Sequence, residues 1–66
     1  MIPEVGDKVA VEDSIRKYSE CEYVDRIAGR FGHVVQVDVS ANEAFVVANV
    51  DDSDGTYVPL EFLSAP

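Results

Sequence analysis

Sixty-six residues, 47% of them hydrophobic, make one small domain near the lower size limit for folding without staples. Thirteen acidic residues against five basic ones leave a net charge of −8, which argues against direct nucleic-acid binding, where affinity rests on cations that neutralise phosphates. Cys21 is the single cysteine, so an internal disulfide is excluded and no Cys/His cluster offers a zinc site.

In chain order, Val5-Gly6-Asp7 opens as a turn and Lys8 to Val11 alternates, with Val9 and Val11 on one face of a strand. From Glu12 to Arg30 the alternation stops, and a long excursion between the first two strands is the preferred reading. Ile15, Tyr18 and Cys21 would also suit one or two weak helical turns. Gly32 to Val39 is the clearest strand, with Val35, Val37 and Val39 on one face and Val34, Gln36 and Asp38 on the other. Ser40 to Glu43 reads as a turn and Phe45 to Val50 as a strand, with Val46, Ala48 and Val50 opposite Phe45, Val47 and Asn49. Asp51-Asp52-Ser53-Asp54-Gly55 ends in Asp-Gly, a dipeptide that tolerates the positive φ of hairpin turns. Thr56-Tyr57-Val58 follows as a short strand. Pro59 cannot donate to a ladder and belongs at an edge or turn, and Leu60 to Leu63 leave room for a tight turn and a last short strand. These short strands predict an all-β, five-stranded small barrel, 1–66, with a 3-10 turn before its last strand.

The pattern resembles the SH3-like family. Gly32-His33-Val34-Val35-Gln36-Val37-Asp38 is similar to that family's Gly-led strand, and Phe45-Val46-Val47-Ala48 stands where Trp-Trp-x-Ala is common. Thr56-Tyr57-Val58-Pro59-Leu60-Glu61-Phe62-Leu63 resembles the closing Gly-Tyr-Ile-Pro-Ser-Asn-Tyr-Val. Phe45 replaces the groove tryptophan, and Ala10-Val11-Glu12-Asp13-Ser14 lacks the tyrosines of the usual opening, so an aromatic groove for proline-rich peptides is not expected. The N-terminal half, Val5 to Val11 followed by a long loop and Gly32-His33-Val34-Val35, resembles the small E subunit of photosystem I and the variable chain of ferredoxin–thioredoxin reductase. Gly29-Arg30-Phe31-Gly32 keeps the glycine spacing of KOW modules but lacks their lysines. Size and acidity also resemble the acidic SH3-like antirepressors that imitate the phosphate backbone of DNA. These resemblances imply a binding module, with no catalysis.

The residues themselves agree with that expectation. His33 is the only histidine and has no partnered constellation around it in sequence. Cys21 is flanked by Glu20 and Glu22, whose charge disfavours a reactive thiolate. The Asp51 to Gly55 run matches only part of a calcium-loop spacing and reads better as a turn. Residues 1–30 carry a net charge of −2 and residues 31–66 a net of −6 with no base at all. The expected partner-binding surface is therefore Phe45, Pro59 and Phe62 as apolar contact, rimmed by Asp51, Asp52, Asp54 and Glu61, which steer in a basic protein. Arg16, Lys17, Arg26 and Arg30 are expected to pair with neighbouring acids on a solvated loop, the alternative being a second contact surface with Tyr18 and Tyr23 as anchors. No cofactor or metal is expected. No apolar run is long enough to span a membrane and MIPEVGDK lacks a signal-peptide pattern, so the expected location is the cytoplasm. A free edge strand leaves room for a homodimer.

Overall fold

In the computed structural model, which describes residues 2–66, five antiparallel strands form a single sheet. The strands are β1 (Lys8–Val11), β2 (Phe31–Asp38), β3 (Glu43–Val47), β4 (Thr56–Pro59) and β5 (Leu63–Ser64). They lie in the order β4-β3-β2-β1-β5. A 3-10 turn, Leu60–Phe62, precedes β5 as expected. The ladder is not closed: β4 and β5 are the two edges of an open sheet. The sheet nevertheless curls. Three residues link its opposite edges and reach at most about 14 Å, whereas five flat strands would hold the edges about 19 Å apart. Two backbone bonds seat the 3-10 turn, from Leu60 N–H to the Asn42 carbonyl and from Glu12 N–H to the Phe62 carbonyl, both at 2.9 Å.

The curl encloses one core. Val9 and Val11 from β1, Val34 from β2, Ala44 and Val46 from β3, Val58 from β4 and Leu63 from β5 all turn inward. The register explains this, because Val9 faces Gly32, Val34 faces Val46, and Ala44 faces Val58. The alternation expected for Val9 and Val11 is present. That expected for Val35, Val37 and Val39 is not. A bulge between Val34 and Gln36 shifts the register, so Val34 is buried while Val35 is 43% exposed. An extra residue in one strand reverses the side-chain parity beyond it.

The 12–30 excursion contains two single-turn helices, α1 (Ile15–Tyr18) and α2 (Val24–Ile27). Neither receives a side-chain N-cap, and helices this short do not persist alone in water. Ile15, Val24 and Ile27 hold them by entering the core. Gly29, at φ +71, turns the chain back after α2, and its N–H donates to the Val11 carbonyl. Arg16 bonds Asp13 and Asp25, neighbouring acids as anticipated, whereas Arg26 meets the distant Asp52.

The third strand begins and ends earlier than the sequence implies. Glu43 belongs to β3 and not to the preceding turn, while Ala48 to Val50 lie outside the strand. Val50, expected to share the face of Val46, is 75% exposed. Asp54-Gly55 is not a positive-φ hairpin turn either, because neither residue has positive φ. Gly55 serves close packing. A Cβ there would stand 2.7 Å from Phe45 Cε2 and 2.8 Å from the Val46 carbonyl oxygen.

Candidate partner-binding site

Strand parity places Phe45 on the face opposite Val46, as expected, and the ring is half-buried. The ladder pairs it with Tyr57, and the two rings meet edge-to-face at 5.0 Å and 71°, a geometry that adds about 0.5–1.5 kcal/mol beyond burial. Pro59 is buried, and its ladder partner is Glu43, not Phe45. Phe62 packs against the core and meets Tyr18 at 5.5 Å. Phe45 and Phe62 thus belong to two separate aromatic pairs, with Tyr57 and Tyr18 as the exposed members. Sequence reading passed over Tyr57 and Glu43. Alternation in Thr56-Tyr57-Val58-Pro59 was the available signal, since an inward Val58 turns Tyr57 outward.

The acidic rim divides as well. Asp51, Asp54 and Glu61 are exposed and form no ion pair among the described residues. Asp52 is committed internally. Its Oδ2 accepts the Tyr23 hydroxyl at 2.8 Å and the Asn49 N–H at 3.3 Å, and lies 3.2 Å from Arg26 Nη2. The Tyr23 hydroxyl in turn accepts the Ala48 N–H at 2.8 Å. The hydrogen bond from Tyr23 leads in holding the Asp52 carboxyl below its usual range, with Asn49 and Arg26 adding to it. Desolvation leads in pushing the Tyr23 phenol up, and the bond to Asp52 adds to it. Tyr23 is thereby a brace between α2 and the 48–55 loop, and not the contact anchor of the alternative reading.

A shallow open cleft of ≈ 510 Å³ lies beside this brace, lined by Cys21, Glu22, Tyr23, Arg26, Asp54 and Gly55. Cys21 is exposed. His33 lies on the outer face of β2 between Lys8 and Val47. Among the described residues no three His, Cys, Asp or Glu side chains converge as a metal site, and no helix is long and apolar enough to cross a membrane.

The chain was compared with protein-family models, curated proteins and solved structures, and it matches none of them. Its functional reading rests on the geometry above.

Proposed function

We propose that this chain is a non-catalytic protein-binding module that docks a basic partner through its acidic surface. The observation that carries this reading is how the charges are distributed. Arg16 and Arg26 are occupied by Asp13, Asp25 and Asp52, and Lys8 lies over the Phe31 ring at 4.7 Å. Asp51, Asp54 and Glu61 are left without a basic partner among the described residues, in a half of the sequence that holds no base. Lys17 and Arg30 form no ion pair among the described residues, but five bases against thirteen acids still leave a net charge of −8, and such a field speeds the encounter with a positively charged protein.

The strand order, the long β1–β2 excursion and the 3-10 turn before β5 support an SH3-like small barrel as the frame. In its sharper form the reading is a DNA mimic, an antirepressor-like inhibitor whose carboxylates compete with phosphates for a nucleic-acid-binding protein. Its setting is the cytoplasm, where an exposed free thiol such as Cys21 stays reduced. A homodimer through β4 is disfavoured. Because Leu60 N–H bonds toward Asn42, alternation turns Tyr57 and Pro59 to the open side, and Pro59 has no N–H to offer.

A second reading, an accessory subunit docked on a larger enzyme, is favoured by one observation. Phe31 remains 51% exposed on the outer face of β2. Affinity capture washed at rising salt separates the two. A basic nucleic-acid-binding protein that elutes with salt and is displaced by DNA supports the decoy. A salt-resistant enzyme subunit supports the accessory role and overturns the decoy.

A further inference from the structure

The chain holds one of its own arginines between a ring and a carboxylate. The Arg26 guanidinium lies 5.0 Å from the Tyr23 ring centroid, and its Nη2 is 3.2 Å from Asp52 Oδ2. The outer face of the β2–β3–β4 half repeats the ring and the carboxylate without the arginine. One row of that face runs Gln36, Phe45, Tyr57, and the next runs Asp38, Glu43, Pro59. Neighbours within a row are about 4.5–5.5 Å apart at Cβ and diagonal neighbours about 7–8 Å, so Glu43 stands within an arginine's breadth of both aromatic rings. Tyr57 is 49% exposed. No base of the chain pairs with Glu43 or Asp38, or lies over Phe45 or Tyr57, among the described residues. Asp38 accepts from the Ser40 hydroxyl and the Ala41 N–H, which hold its carboxyl below the usual range, hence charged.

We propose that the outer sheet face formed by Phe45, Tyr57, Glu43 and Asp38 is a docking site for an arginine side chain of a partner protein. This rests on the basic-partner reading above and names the contact. The planar guanidinium stacks on the exposed Tyr57 ring beside Phe45 while its N–H groups meet Glu43 and, at the rim, Asp38. Lysine fits less well, because its compact ammonium is more strongly hydrated and lacks the planar fork that lets a guanidinium stack on a ring and bond a carboxylate at once. Charge complementarity selects this occupant: the face presents two carboxylates beside exposed aromatic carbon, and none of the described residues supplies a cation to it.

The test uses two octapeptides, alternating glycine–arginine and alternating glycine–lysine, titrated at low salt into the ¹⁵N-labelled protein. The arginine peptide is expected to bind about two- to fivefold more tightly than the lysine peptide. Its largest amide shifts should fall at Gln36, Glu43, Phe45 and Tyr57. Glu43→Gln and Tyr57→Leu, each checked for an unchanged amide spectrum away from the site, should abolish the preference, while Asp51→Asn should keep it. Equal affinity for both peptides, with shifts spread over Asp51, Asp54 and Glu61, would overturn the arginine site and leave the basic-partner reading standing. Binding of neither peptide would overturn both.

Discussion

The Tyr23 hydroxyl donates to Asp52 Oδ2 at 2.8 Å and joins residues 29 positions apart in the chain. The same oxygen of Tyr23 accepts the Ala48 N–H, so one phenol satisfies the backbone as β3 ends and anchors the loop that leads to β4. Asp52 has Arg26 as its basic partner, which removes it from the set of acids free to meet another molecule.

Tyr23→Phe retains the ring but deletes both bonds. The Ala48 N–H and the Asp52 carboxylate then lose a partner in a partly buried setting, and unfolding in urea should show a loss of about 1–2 kcal/mol. Amide exchange at Ala48 and Asn49 should rise more than at Val9 or Val34, because the loop opens locally before the core does.

The two pKa shifts at this brace contribute to the pH dependence of stability. Asp52, with its folded pKa depressed, contributes stability that is present above the unfolded carboxylate value of about 3.9. That contribution is lost as pH falls through the lower folded value, and Asp38 adds to the same acid limb. Tyr23, with its folded pKa raised, contributes stability that is present below the unfolded phenol value of about 10 and is lost as pH rises through the folded value. Denaturation free energy measured against pH should show both limbs. Tyr23→Phe should remove Tyr23's share of the alkaline one and shrink the acid one.

Gly32→Ala should destabilise the protein, since its Cβ would stand 2.5 Å from Val46 Cγ1 and 3.1 Å from the Val47 carbonyl oxygen. Crowding of this kind costs about 1–3 kcal/mol. Adding Val46→Ala removes the nearer obstacle, so the double variant should lose less than the two single losses added together. Strictly additive losses in thermal or urea unfolding would contradict the proposed packing.

Ile15→Ala and Ile27→Ala should each cost about 2–4 kcal/mol. Both side chains are fully buried, and each is part of what holds its single helical turn. For a chain of this length the total stability is only about 3–10 kcal/mol, so a circular-dichroism melt should show a large fall in midpoint. A fall no larger than that of an exposed variant such as Lys17→Ala would show that the helices are not keyed to the core.

Several elements were legible because short-range chemistry decides them. Period-two alternation at Lys8 to Val11 predicts β1, and the Pro59-Leu60-Glu61-Phe62 run predicts the turn before the last strand. The outward placement of Phe45 follows from the parity of Val46. The helical turns were only faintly visible, because four residues hold no repeating pattern and their stability lies in tertiary burial of Ile15, Val24 and Ile27.

What the sequence by itself determined is the charge, the mostly β character, and the alternation that sets which side chains can point inward, since each depends on residue identity or on neighbours one or two places away. Tertiary structure alone decided the rest. The bulge at Val34–Gln36 depends on how β2 must bend to pair with both β1 and β3. The partners Phe45–Tyr57, Glu43–Pro59 and Tyr18–Phe62 depend on register and on the curl of the sheet. The capture of Asp52 by Tyr23 and Arg26 depends on a loop folding back against α2. Contacts between residues far apart in the chain are selected by the shape of the whole core, and no local pattern encodes them.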